Sequence, residues 1–175
     1  MALTRLGPNQ SINLASNVTG TLATGNGGTG ATSFAPAKVL QVVTANITGT
    51  TTTTSSTFAA TVVTATITPT ASSSKILVMM NGGGSGFAFG SGIMNGYTKI
   101  YRGTTALENS TKGSGVFILT TGQYINLSAS IEDSPNTTSA TTYTLYASRN
   151  SGDGTFSINR DGNGHMNVIL TEIAA

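Results

Sequence analysis

Residues 58–81, FAATVVTATITPTASSSKILVMMN, contain the pattern that decides the fold of this chain. Residues 58–68 are rich in threonine, valine and isoleucine, which favour strands, and Pro69 ends the run because proline cannot donate to a strand ladder. Residues 71–74 are small and polar and predict a turn. The apolar run within 75–81 predicts a strand that is buried on both faces.

The rest of the chain after residue 36 has the same character, with β-branched runs separated by glycine, proline and asparagine. We find no helical stripe longer than two turns, and therefore expect no parallel α/β architecture. Many short strands at regular spacing predict an all-β fold, an antiparallel β-sandwich or jelly roll. About nine strands are predicted, at 38–45, 58–68, 75–81, 93–102, 116–121, 124–131, 141–149, 155–159 and 166–173, with a further short one at 104–108.

The connections between these strands carry turn signals of different kinds. Residues 116–121 and 124–131 are expected to pair as a hairpin across Gly122-Gln123. Arg102-Gly103 is expected to join a second pair. The predicted loops are residues 50–57 and 133–140, and residues 82–92 are glycine-rich.

Ionisable side chains are scarce: charged residues make up 8% of the 175-residue chain, and the formal net charge is +2. The eight basic residues are scattered without a run or stripe, so nucleic-acid binding is not expected. Cysteine is absent, which excludes disulfides and thiolate chemistry. No apolar stretch is long enough for a membrane span, and the first residues lack the apolar core of a signal peptide, so assembly in the cytoplasm is expected.

The sequence offers no constellation of catalytic or metal-binding residues. His165 is the single histidine, and Glu132 and Asp133 are neighbours that point to opposite faces of a strand. Residues 151–154 and 161–164 contain Asp-Gly and Asn-Gly steps, which predict turns and lack the ligand spacing of a calcium loop. We therefore predict that the chain is not an enzyme and uses no metal ion or cofactor.

Residues 1–36 differ from the rest, because spaced apolar side chains are followed by a glycine-rich segment. One interpretation is a flexible glycine linker. The interpretation we favour is an extended arm that orders against a partner, in which glycines without a Cβ allow close approach. The attachment residues predicted on this arm are Ile12, Leu14, Val18, Leu22, Gly25, Gly27, Gly28 and Gly30.

Aromatic residues suggest a second contact region. Phe87 and Phe89 lie in a glycine-rich stretch, where they either pack inward or against a threefold axis, or form an exposed contact. Tyr97, Lys99 and Tyr101 share one face of a strand by their spacing of two. That face is suited equally to a carbohydrate or to a neighbouring subunit.

Several segments, taken in order, resemble phage tail-fibre and fibre-like virion proteins. In the arm these segments are INL at 12–14, NVTGTL at 17–22 and GNGGTG at 25–30. In the remainder they are KVLQVV at 38–43, ITP at 67–69, SSKILV at 73–78, YRG at 101–103, DSP at 133–135, TTY at 141–143 and VILTEIA at 168–174. Together they span nearly the whole chain.

The resemblance implies a component of the virion surface, usually a homotrimer, with a knob at residues 37–175 similar to C1q or tumour-necrosis-factor jelly rolls. Tail fibres of that kind are usually far longer, and an arm of residues 1–36 is better suited to a capsid lattice. We therefore expect a capsid decoration, or cement, protein whose arm docks on the major capsid protein or other virion proteins. The alternative is a short tail fibre or fibre tip, which would bind a host surface glycan.

Overall fold

Antiparallel strands form nearly all the regular structure of this protein. A computed structural model describes residues 38–86, 94–113, 115–119, 125–159 and 164–175, and of residues 83–86 and 115–119 only the backbone. The eleven strands in these ranges are β1 (Val39–Ile47), β2 (Thr51–Thr53), β3 (Ala59–Ile67), β4 (Lys75–Gly86), β5 (Met94–Arg102), β6 (Thr105–Ala106), β7 (Gly115–Leu119), β8 (Ile125–Asp133), β9 (Thr141–Ser151), β10 (Phe156–Ile158) and β11 (His165–Ile173).

Two antiparallel sheets pack face to face as a sandwich. The first sheet has the order β1-β11-β4-β8. The second has the order β3-β9-β5, and the outer edge of β5 pairs with β7 along one half and with β6 along the other. The short strands β2 and β10 form a separate two-stranded sheet.

The eight long strands pair in a nested order. The first pairs with the last, β1 with β11, and β3 pairs with β9. Inside these, β4 pairs with β8 and β5 with β7. Each pair therefore encloses the next along the chain, and successive pairs belong alternately to the first and to the second sheet.

Period-two alternation builds the core between the sheets. In β3, Val63 and Ile67 are buried while Thr64 and Thr66 are exposed. Each fully buried aliphatic side chain contributes roughly 1.5–3 kcal/mol. The largest fully buried side chains are Tyr143, Phe156, Ile67, Ile76, Met80, Met94, Ile100, Leu127, Leu145, Ile158 and Met166.

The prediction of an all-β sandwich is confirmed, and so is the Gly103 turn, where the glycine has φ 56° between β5 and β6. The predicted hairpin across Gly122-Gln123 is wrong. Strand β7 pairs with β5 and β8 pairs with β4, so the two strands belong to different sheets. The turn signal depends only on the residues between the two strands, whereas the strand with which each of them pairs depends on the packing of the whole sheet.

Three further predictions need correction. The expected loop at residues 50–57 contains β2, which pairs with β10. The strand predicted at residues 75–81 is longer than expected, because β4 continues through Gly86 into the glycine-rich segment. The run at 75–81 is not buried on both faces, because Ile76, Val78 and Met80 are fully buried whereas Leu77 and Met79 are only half-buried.

Gly96 is a test of core packing, because its missing side chain leaves space for the Phe156 ring. A Cβ at position 96 would lie 2.7 Å from a carbon of that ring, closer than van der Waals contact allows. We expect Gly96→Ala to lower the free energy of unfolding by about 1–3 kcal/mol, through overpacking of the core. Urea denaturation measures this change.

The matched control is Gly49→Ala, where a new Cβ would meet Val62 at an ordinary 3.4 Å. Both substitutions reduce the flexibility of the unfolded chain in the same way, so the difference between them reports the clash at position 96. Equal stabilities of the two variants would show that Phe156 shifts without cost and would contradict the prediction.

Candidate assembly surface

The outer face of the first sheet carries aliphatic side chains that the described residues leave at least partly exposed. Val39 and Val42 on the edge strand β1 are 50% and 53% exposed. Leu77 and Met79 on β4, and Ile169 on β11, are half-buried. We call the set Val39, Val42, Leu77, Met79, Ile169 and Ile173 the aliphatic outer face.

Strand register brings these residues together. Val42 pairs with Thr171, which pairs with Leu77 on its other side. In the next outward-facing row Thr44, Ile169 and Met79 are aligned across three strands. The aliphatic side chains therefore form a continuous zone and are not isolated surface residues.

A row of polar side chains crosses the same face beside this zone. Asn46 pairs with Asn167, Asn167 with Asn81, and Asn81 with Ser128. The Ser128 hydroxyl donates to Asn81 Oδ1 at 2.7 Å. We call these four residues the amide row.

The outer face of the second sheet is chemically different. Its threonines pair across strands, with 2.9 Å between the hydroxyls of Thr64 and Thr144. Tyr101 and Tyr146 stack with their ring centroids 3.8 Å apart. These side chains contact one another through hydroxyls and rings, so this face is amphipathic where the first is aliphatic.

One cluster of charged and polar side chains ties the two sheets together. Arg102 Nη1 on β5 donates to both carboxylate oxygens of Asp133 on β8, at 2.9 Å each. The Tyr143 hydroxyl on β9 donates to Asp133 Oδ2 at 2.7 Å. Burial raises the pKa of Tyr143, and the hydrogen bond to Asp133 and the charge of Asp133 raise it further. Tyr143 therefore stays a protonated donor, and the cluster joins strands of both sheets.

Glu172 on β11 is fully buried and holds a neighbouring loop. Its Oε1 accepts from the backbone N–H and the hydroxyl of Thr70, each at 2.7 Å, and its Oε2 accepts from Gln41 Nε2 at 2.6 Å. Burial acts to raise the pKa of Glu172, but the hydrogen bonds from Gln41 and Thr70 outweigh it and lower the pKa to about 2. The ionised carboxylate thus fastens the β3–β4 connection to the first sheet.

The aromatic residues predicted as contacts have separate outcomes. Tyr97 is only 8% exposed, so it is not the exposed contact that the sequence predicted. Tyr101 is partly exposed and stacks on Tyr146, and Lys99 lies over the Phe58 ring with Nζ 4.7 Å from its centroid. Phe87 and Phe89 lie outside the described residues.

The predicted attachment residues of the arm also lie outside the described residues, and their role stays a prediction. They are Ile12, Leu14, Val18, Leu22, Gly25, Gly27, Gly28 and Gly30.

The sequence analysis missed the aliphatic outer face, although a signal for it was present. The apolar run at 75–81 places apolar side chains on both faces of β4. The sequence predicts burial on both faces, whereas the second sheet covers only the inner side of β4. The amide row had no sequence signal, because its asparagines are brought together by pairing between distant strands.

No protein-family model and no curated protein sequence matches this chain. Within the described part of the chain, no three His, Asp or Glu side chains are grouped so that they could hold a metal ion. Over the same residues, no helix has the length and apolar character needed to cross a membrane.

Glu172 gives a prediction of pH dependence. Its folded pKa of about 2 lies below the ordinary value of 4.5, so its ionised form stabilises the fold above pH 4.5 and this contribution is lost as the pH falls towards 2. We expect Glu172→Gln to lower the free energy of unfolding at pH 7 by roughly 1–3 kcal/mol, because its amide group cannot accept all the donors. Denaturant titrations of both proteins between pH 7 and pH 2 should show the difference shrinking below pH 4.5.

The matched control is Glu132→Gln, which removes an exposed ion pair with Lys75. Such pairs contribute about 0–1 kcal/mol, so a small effect is expected. A stability difference for Glu172→Gln that stays constant down to pH 2 would show that the carboxylate charge is not the stabilising feature.

Proposed function

We propose that this chain is a non-enzymatic structural protein of a bacteriophage particle, which forms a homotrimer on the virion surface and decorates and stabilises the capsid. The observation that carries the proposal is the aliphatic outer face on a sandwich with very few charges. Exposed apolar side chains that are grouped on one face of a protein mark a surface that another protein covers.

The strand order supports a jelly-roll knob. Eight long strands in which the first pairs with the last, and each pair encloses the next, are arranged as in a double-sheet jelly roll. The sequence segments that resemble fibre-like virion proteins extend over the same residues. The fold and the resemblance therefore favour the same kind of knob.

The carboxylates support a structural role in place of a catalytic one. Asp133 joins the two sheets through Arg102 and Tyr143, and Glu172 holds the Thr70 loop. Glu108 accepts from the backbone N–H of Ile100 at 3.2 Å, beside the point where β5 changes partner. Each of these carboxylate side chains therefore stabilises the fold, which is a structural role.

The arm, residues 1–36, provides attachment to the major capsid protein or neighbouring virion proteins in this proposal. Ordering an arm costs about 1–2 kcal/mol per residue in backbone entropy, so one arm alone binds weakly. Three arms on one trimer raise the effective concentration of each and make attachment durable. A decoration protein that clamps adjacent capsid subunits needs this kind of multivalent contact.

A second candidate function is that of a short tail fibre or fibre tip. It is favoured by the outer face of the second sheet, where Tyr101 and Tyr146 lie among threonine hydroxyls. Aromatic rings and hydroxyls suit the apolar and polar sides of a sugar ring, so this face fits a host surface glycan.

The location on the particle separates the two functions. We expect light scattering to give three times the chain mass of 17.7 kDa, and antibody labelling of whole particles to show many copies over the head. A few copies confined to the tail would contradict decoration and support the fibre. A monomer at micromolar concentration would contradict both forms of the proposal.

Removal of residues 1–36 tests attachment. The described core lies entirely within residues 38–175, so we expect the truncated protein to keep its fold and to form trimers but to lose binding to particles that lack the protein. Co-sedimentation with such particles measures binding, and the full chain is the control. Truncated protein that still coats particles would show that the arm is not the anchor.

A further inference from the structure

We infer that the aliphatic outer face and the amide row together form the contact through which this chain binds a second copy of itself. The inference rests on the proposed function, since it names the surface that would hold the proposed homotrimer together. The chemistry of the outer side of the β1-β11-β4-β8 sheet supports it. Beyond the proposed function, it states which residues supply the affinity between copies and which select the geometry of the contact.

The aliphatic outer face supplies the affinity. Val39 and Val42 are half-exposed on β1, and the outward side chains of β11 and β4 continue the apolar zone inward across the sheet. Among the described side chains, the opposite outer face carries mainly threonines and tyrosines that contact one another. Apolar association is therefore directed to one side of the sandwich.

The electrostatics of the face favour a second copy over a charged partner. Lys75 and Glu132 lie on this face and pair with each other, with Nζ and Oε1 2.6 Å apart. The two charges cancel, so the face offers no net charge to attract an acidic or basic partner. A neutral aliphatic surface is best matched by another of the same composition, which every further copy of this chain presents.

The amide row gives the contact a preferred geometry. A side-chain amide carries both donors and acceptors, so Asn46, Asn167 and Asn81 can hydrogen-bond to polar side chains of neighbouring copies. Packing aliphatic groups over the amides would bury them without partners and would be unfavourable. Arrangements that leave the amides hydrogen-bonded and the aliphatic side chains covered are therefore selected, as a buried asparagine selects register in a coiled coil.

The size of the face is sufficient for a specific contact. Four strands spaced about 4.8 Å apart, each of nine or more residues that rise about 3.4 Å, give an area of roughly 600 Å². A standard specific interface covers about 800 Å² on each partner. The face by itself supplies most of that area, and the adjoining edge of β1 extends it.

The aliphatic zone is tested by Val42→Asp and Thr171→Arg, which place a charge on the face at an exposed position and at a central one. The control is Val62→Asp on β3, where a valine 41% exposed lies on the second sheet. Sedimentation velocity across a concentration series measures association, and circular dichroism checks the fold. We expect the apparent dissociation constant to rise about 100-fold or more in the two face variants and to stay unchanged in Val62→Asp.

The amide row is tested by Asn167→Leu, with the exposed Asn150→Leu as its control. We expect Asn167→Leu still to associate but to give several oligomer sizes in native mass spectrometry, whereas Asn150→Leu keeps one size. A single unchanged species for Asn167→Leu would overturn the selective role of the row.

The outcomes separate this inference from the proposed function. If Val42→Asp and Thr171→Arg both fold and remain trimers with unchanged affinity, the surface is wrong while the trimer stands. If the unsubstituted chain is a dimer that these substitutions dissociate, the surface is right and the proposed trimer is wrong. If Val62→Asp weakens association as much as Val42→Asp, the assignment to the first sheet is overturned.

Discussion

The pairing of β11 between β1 and β4 is the constraint on which the rest of the structure depends. It joins residues 39–47 to residues 165–173, so the first sheet closes only when the last strand is in place. Val168 and Leu170 on β11 are fully buried in the core, while Ile169 faces outward between Thr44 on β1 and Met79 on β4. A nested topology of such long-range contacts folds slowly, because the loop entropy is lost before the contacts form.

The same alternation that builds the core also gives the two sheets different outer faces. Threonine is the common outward residue of β3 and β9, where Thr66 and Thr142 bring their hydroxyls to 2.7 Å. Leu77, Met79 and Ile169 occupy the equivalent outward positions in β4 and β11. In a chain with few charges, such an asymmetry between faces can direct assembly where long-range electrostatics cannot.

The few charged groups that are present hold together parts of the sandwich distant in sequence. Asp133 accepts from Arg102 and Tyr143 across the two sheets, and Glu172 accepts from Gln41 and Thr70. Sequence analysis could not predict either arrangement, because the partners are separated by between ten and 131 positions along the chain. It did identify Glu132 and Asp133 as opposite-facing neighbours, and their separate partners, Lys75 and Arg102, agree with that prediction.

The sequence by itself determined most of the strands, the Gly103 turn and the small number of charged residues, because strand periodicity and turn chemistry depend on neighbouring residues. Only the tertiary structure decided that β7 and β8 lie in different sheets and that Leu77 and Met79 face outward. Only the register of β1, β11, β4 and β8 aligned the asparagines of the amide row. The physical reason is that alternation specifies two faces for every strand, whereas long-range pairing decides which face lies inside and which residues become neighbours.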